Sequence, residues 1–314
     1  MAQFLVKRLL MAIPTLLLVA LLVFMLVRLI PGDPALILLG DGADANSVAA
    51  INRRLGLDQP LPVQFFIWLG NVFQGDLGNS ILTGDPVLAL VWDRFQLSAT
   101  IILLAVGTAT LIAVPVGIFA AWRQGSGMDF TLVALATLGL SIPSFWLGLM
   151  LLMLFGIQLG WLPVVGYVSF GQDASLAITY LVLPVLTLIL IEVGVLTRMV
   201  RSSAIEVLRL EYVTHARAKG LSERSVLFRH VLPNSFAPTL TLIGIVLGTL
   251  LGGIAVVETV FTLPGLGRLL VESIYSRDYP VVQGCLLMIA TGYVVVNLIV
   301  DLLYPFFDPR VTLE

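Results

Sequence analysis

Six stretches of this 314-residue chain are nearly free of charge and long enough to cross a lipid bilayer. A helix needs ~20 mostly apolar residues for that, because every backbone polar group inside the hydrocarbon must be satisfied by the helix itself. The stretches are Leu9–Val27, Phe95–Trp122, Phe130 to about Gln158, Ala177–Val200, Pro238 to about Phe261, and Val281–Tyr304. Pro143 predicts a kink in the third, and Glu192 interrupts the fourth. Gly156 to Pro163 reads as a helix end and loop. With 59% hydrophobic and 11% charged residues, the chain carries more apolar surface than a water-soluble domain of this size can hide. The expected fold is therefore an all-α integral membrane protein with six transmembrane helices.

Orientation follows from the basic residues, which favour the cytoplasmic side. With six crossings, Lys7, Arg8, Arg123, Arg310 and the seven basic residues from Arg198 to Arg229 share one side. Arg28, Arg53, Arg54, Arg94, Arg268 and Arg277 take the other. This balance predicts both termini in the cytoplasm and an uncleaved first span.

Scarcity excludes several chemistries. The two lysines, Lys7 and Lys219, follow Val6 and Ala218, so neither sits in a Gly-Lys-Ser/Thr phosphate loop. His215 and His230 lack the i, i+4 spacing of a zinc protease, and the single cysteine, Cys285, rules out an intrachain disulfide or a multi-cysteine metal site. No catalytic or metal set is visible, and a formal charge of −2 gives no reason to expect a nucleic-acid partner.

Two loops exceed mere connectors. The outer loop, residues 31–94, contains an expected short helix capped by Asn46 with the apolar stripe Val48, Ile51 and Leu55. An aromatic stretch from Pro62 to Phe73 and a capping pair, Asp85-Pro86, follow. It reads equally as a folded cap on the membrane or a docking surface. The inner segment, residues 198–236, interleaves its basic residues with Ile205, Leu208, Tyr212, Val226, Leu227 and Val231. Gly220 breaks it into two short helices, the second capped by Ser222. Such a segment either presses into a groove on another protein or lies against anionic lipid.

The residue order within it is Glu211-Tyr-Val-Thr-His-Ala-Arg-Ala-Lys-Gly220, then Val231-Leu-Pro233. This resembles the cytoplasmic loop motif of binding-protein-dependent ABC importer permeases at Ala216, Gly220, Leu232 and Pro233. Thr214, His215 and His230 depart from it. Ala-Arg-Ala-Lys-Gly is similar to the variant of the peptide/nickel branch. Arg28 to Pro34, Leu55 to Pro60, Gln74 to Gly78, Leu263 to Arg268, Arg277 to Gly284 and Asp308-Pro-Arg310 resemble that branch in the same order, as its B-type subunit.

The resemblance implies an importer permease of the type I fold in a bacterial cytoplasmic membrane. It also implies a homologous second permease, two cytoplasmic ABC ATPase subunits that bind the ATP and Mg, and an outer substrate-binding protein. This chain would itself hold no cofactor and catalyse nothing. Glu211, Ala216, Gly220, Leu232 and Pro233 would then belong to the segment that couples to an ATPase subunit. Peptides are the leading substrate, with nickel chelates, glutathione and oligosaccharides as alternatives. A stand-alone secondary transporter is the competing class, but it needs embedded ion ligands, and Glu192 is the sole candidate. That carboxylate either lines the path and attracts a cationic group, or it reaches the inner interface or pairs with an arginine of another helix. Asp301 and Glu258, near span ends, read as interfacial or cross-helix partners. Arg268, Arg277 and Asp278 are candidates for docking the binding protein, or for bracing an outer loop.

Overall fold

The computed structural model describes residues 2–29 and 58–307. The expected Asn46 helix and the Asp308-Pro-Arg310 end lie outside them. The helices are α1 (Ala2–Leu29), α2 (Leu61–Phe73), α3 (Val87–Trp122), α4 (Gly127–Ser141) and α5 (Ser144–Leu151), the last prolonged by a π-helical turn (Leu152–Gln158). After α6 (Ala174–Leu208) and α7 (Glu211–Ala218), α8 (Glu223–Val226) passes through a second π turn (Leu227–Val231) into α9 (Leu232–Gly253). The remainder are α10 (Ala255–Val260), α11 (Leu266–Tyr275) and α12 (Tyr279–Phe307). Among the described residues, extended pairing is limited to one bridge between Asn79 and Pro86.

Among the described residues, five continuous helices are long and apolar enough to span a membrane, and α4 with α5 makes a sixth if the bent pair is one crossing. The expected kink at Pro143 is instead a 99° break. Proline disfavours the helical region for the residue before it, and both Ile142 (ψ 124°) and Pro143 (ψ 137°) are extended. Two consecutive extended residues redirect the axis where one missing hydrogen bond would only bend it. The fifth span is also corrected. Its helix starts at Glu223, well before Pro238, and stops at Gly253, whose Gly252-Gly253 pair favours an end; Ala255 then begins a separate turn. Likewise α3 starts at Val87, two turns before Phe95 and within the stretch expected as outer loop. Pro86 occupies the N-cap position of α3 with no side-chain cap, so Asp85 does not cap it.

The two early helix starts, at Val87 and Glu223, share one cause. At 1.5 Å per residue, α3 is about 54 Å long, α6 about 52 Å, and the helix from Glu223 to Gly253 about 46 Å, against ~30 Å of hydrocarbon. The helices outrun the membrane, and charge-free stretches mark only their embedded parts.

Apolar burial cannot by itself hold helices together in lipid, where the tails are as apolar as leucine; close approach through small residues does more. On Gly117 of α3, a Cβ would lie 2.7 Å from the Val200 Cβ and 2.9 Å from the Thr197 carbonyl of α6. Gly194 of α6 similarly touches the Ala136 carbonyl of α4, and Gly244 of α9 receives Val300 of α12. The main core joins Ile101, Ile102, Leu183, Leu188, Ile254 and Leu263. Cys285 is fully buried with Val87, Val91 and Leu266, as a small apolar side chain.

The bundle has a basic end, where α3, α6 and α12 finish and α7 lies, and a far end with α2, the 159–173 connector and α11. At the basic end Arg201 donates to both Asp129 oxygens, at 2.6 and 2.8 Å, tying α6 to the first turn of α4, and Ser126 caps that turn. Arg8 pairs with Asp301 at 3.0 Å, joining α1 to α12. At the far end Phe24 of α1 stacks with Phe65 and Trp68 of α2. Asp173 caps α6, and the N–H of Leu176, then the Ser175 hydroxyl, hold its carboxyl below the usual carboxylate range.

Candidate coupling and substrate-path sites

Local chemistry builds the basic-end segment. Helix α7 needs a stop after two turns, and Gly220 supplies it with a left-handed φ of +82°. The Leu221 N–H then bonds the Ala216 carbonyl at 3.3 Å and the Gly220 N–H the Arg217 carbonyl at 2.9 Å, closing a Schellman turn. Ser222 begins the next helix, its hydroxyl accepting from the Ser225 N–H. That second helix is no isolated piece, contrary to expectation; it is the projecting start of the Glu223–Gly253 helix. Pro233 enters at the second position of α9, where the missing N–H is tolerated after the π turn.

Packing fixes how the segment sits. Val213, Ala216, Val226 and Val231 are buried against Ile118 and Ala121 of α3 and Val200, Ala204 and Val207 of α6, with Leu232 partly buried beside them. Glu211, His215, Lys219, Gly220 and Pro233 face outward, as do Leu210 and Phe228, at 48% and 60% exposure. Residues missed in the sequence lock the turn from outside. Glu223 accepts from Arg217 at 2.9 and 3.3 Å and from the Trp122 indole at 3.1 Å, and Arg123 lies over the Trp122 ring. No fixed spacing signals a bond from Arg217 across a turn to Glu223. The outcome is a rigid knob, bolted to the ends of two long helices, presenting basic, aromatic and apolar groups together.

At the far end the three docking candidates separate. Asp278 is buried; it accepts from the Ser80 hydroxyl at 2.5 Å and the Ile81 N–H at 3.1 Å, bracing the turn before α3. Arg268 pairs with Glu272 at 2.7 Å. Arg277 is exposed, beside the exposed Ile274 and Tyr275 of α11. It also holds a left-handed φ of 58°, ending α11 in the conformation that Gly220 gives α7. Glu258 is fully buried, accepting from the Ser98 hydroxyl at 2.5 Å and the Arg268 N–H at 2.8 Å, so it anchors the start of α11. As expected, Glu258 and Asp301 are bonding partners across helices.

Glu192 is buried at 7% exposure on α6. Among the described residues it makes no ion pair, so the pairing alternative for it is unfilled.

Against known proteins, residues 113–313 match the model of the binding-protein-dependent transport system inner membrane component, and residues 1–103 match that of its N-terminal part. The chain belongs to this family. A Brucella suis biovar 1 protein, provisionally described as a peptide transport system permease protein, is 43% identical over 99% of each chain. The glutathione transport system permease protein GsiC of Salmonella choleraesuis is 42% identical over the same shares. A solved inward-facing structure of the MetNI methionine ABC transporter covers 72% of this chain and 94% of its own, with 19% identity and a TM-score of 0.51. That similarity shows the shared importer-permease fold. The permease is thus the multi-pass membrane component of an ATP-driven importer and not an enzyme, and its family implies ATPase and substrate-binding partners. The resemblance to this family is borne out.

Proposed function

We propose that this permease forms half of the translocation path of a peptide importer in a bacterial cytoplasmic membrane, with both its termini in the cytoplasm. It pairs with a homologous second permease and receives di- or oligopeptides from an outer binding protein. Two cytoplasmic ABC ATPase subunits bind the ATP and Mg; this chain holds no cofactor. The named relatives support peptide or glutathione cargo.

One observation carries the mechanism: the segment from Glu211 to Pro233 is packed rigidly on α3 and α6 while its outer side is basic and apolar. A knob of that kind, seated in a groove of an ATPase subunit, passes subunit closure directly to two membrane-long helices. Ala216 and Leu232 fix it from within, Gly220 sets its turn, and Glu211 and Pro233 belong to its outward side. ATP and the loaded binding protein each bias one of two helix packings, which is what a bistable gate requires. Arg277, just past the end of α11, with Arg268 in that helix and Asp278 setting the turn, is the docking point for the binding protein. Glu192 belongs to the substrate path.

The test is reconstitution. The complete importer with binding protein and ATP is expected to accumulate peptide in vesicles, while this chain alone is inert. Peptide accumulation by the chain alone refutes the reading in favour of a secondary transporter.

A further inference from the structure

The basic end of the bundle holds a recess of about 580 Å³ where α4, α6 and α9 meet, lined on the α6 side by Arg198, Arg201 and Ser202. Their spacing, i, i+3 and i+4, puts the three on one side of the helix. Arg201 gives its Nε and Nη2 to the two oxygens of Asp129, so its charge is compensated on the spot. Among the described residues, Arg198 and Ser202 make no ion pair or side-chain hydrogen bond, and both are exposed. No acidic side chain among the described residues lines the recess. It therefore carries one uncompensated positive charge.

The rest of the wall is apolar and runs inward. Asp129, held by Arg201, lies one residue before the charge-free stretch of α4 opens at Phe130, so this pair marks the edge of the hydrocarbon. From Val133 to Leu140 the α4 wall advances seven residues, about 10 Å, and ends two residues short of the extended Ile142. Leu242 completes the wall from α9. Arg198 sits three residues, about 4.5 Å, to the membrane side of Arg201. From that depth an arginine reaches back to the phosphate layer while its stem stays among apolar groups.

A charged mouth over an apolar slot matches an amphiphile with an anionic head, and basic pockets between helices on the cytoplasmic side hold such headgroups. A phosphodiester brings one negative charge for the one available positive charge, with oxygens for both Arg198 and the Ser202 hydroxyl. Phosphatidylethanolamine adds an ammonium, which finds no acceptor because both oxygens of Asp129 are taken. The ammonium end of a peptide meets the same lack, and free phosphate leaves the apolar wall uncovered. We propose that this recess binds one anionic phospholipid, its phosphodiester on Arg198 and Ser202 and an acyl chain along Val133, Leu140 and Leu242. The site does not depend on the cargo, so it stands or falls separately from the peptide reading.

The experiment is native mass spectrometry of the complete importer in detergent, titrated with phosphatidylglycerol or with phosphatidylethanolamine of the same chains. A charge-assisted bond is worth about tenfold or more in affinity, so Arg198→Gln should hold one phosphatidylglycerol fewer than wild type at low lipid. Arg198→Lys should retain most of the binding. Ser202→Ala should weaken it about threefold, and carries the test if Arg198→Gln fails to assemble. Phosphatidylethanolamine should bind wild type and variants alike. Glycerophosphoglycerol, which is the headgroup without its chains, and inorganic phosphate should not displace the lipid at millimolar concentration. Displacement by either makes the recess a site for soluble anions and overturns the lipid assignment. Displacement by trialanine places the recess in the substrate path and overturns it as well. Equal retention of phosphatidylglycerol by wild type, Arg198→Gln and Ser202→Ala overturns the site itself.

Discussion

Substituting Gly220 separates backbone torsion from packing, because φ there is +82° and an added Cβ meets no atom within 4 Å. The cost of a side chain is then purely conformational: about 1 kcal/mol for Ala, less for Asn, and about 2 kcal/mol for a β-branched residue. The chain can escape that strain by opening the turn, which forfeits the Leu221–Ala216 and Gly220–Arg217 backbone bonds. Two such bonds are worth about 1–3 kcal/mol net. For Ala and Asn the closed turn stays favoured; for Val the two costs are nearly equal, so about half the molecules should have an open turn. An open turn also pulls Arg217 away from Glu223, and with it the tie to Trp122. In the reconstituted importer, the ratio of peptide taken up to ATP hydrolysed should fall in the order Gly, Asn, Ala, Val. Hydrogen exchange at the Leu221 amide should rise in the same order. A Val variant with an open turn and normal coupling refutes the assignment of this segment. An Ala variant as impaired as Val, with the turn closed, refutes the torsional argument.

Three further outcomes are expected. Removing one partner of the Asp129–Arg201 pair strands a charge, so Asp129→Ala should cost about 3–5 kcal/mol, and the double replacement with apolar residues much less; thermal unfolding in detergent across the four-member cycle checks this. Arg277→Gly should stabilise the permease by about 1 kcal/mol, since glycine adopts φ 58° without strain, yet weaken capture of the binding protein in a pull-down. Stabilisation with unaltered capture removes Arg277 from the docking surface. Because the folded Asp173 carboxyl titrates below its unfolded value, its contribution is present above the unfolded pKa and disappears as pH falls through the folded one. The protection of the Leu176 amide, its exchange rate relative to the intrinsic rate at the same pH, should therefore fall in acid for wild type, while Asp173→Asn, which keeps a neutral acceptor, should show no such fall.

Much of the site was legible in the residue order. Gly220, Ser222 and Pro233 announce a stop, a cap and a tolerated proline through local rules that need no tertiary context. The Asp129–Arg201 and Arg217–Glu223–Trp122 ties were not legible, since they join residues 72, 6 and 101 positions apart with no periodicity to mark them. The Pro143 break also exceeded its signal: a proline predicts lost helix geometry, but the size of the turn depends on what the two halves pack against.

The chain alone determined that it crosses a membrane repeatedly, because ~20-residue apolar runs have no other stable setting. It determined where helices must start and stop as well, since capping and left-handed turns depend on a few adjacent residues. Only the tertiary structure decided which charges are used up and which stay available. Among the described residues, Asp278 and Arg201 are engaged by distant groups, whereas Glu192, Arg198 and Arg277 are not. That difference arises because a charge is satisfied by whatever the packed helices bring within hydrogen-bond reach, and this cannot be read from its neighbours in the chain.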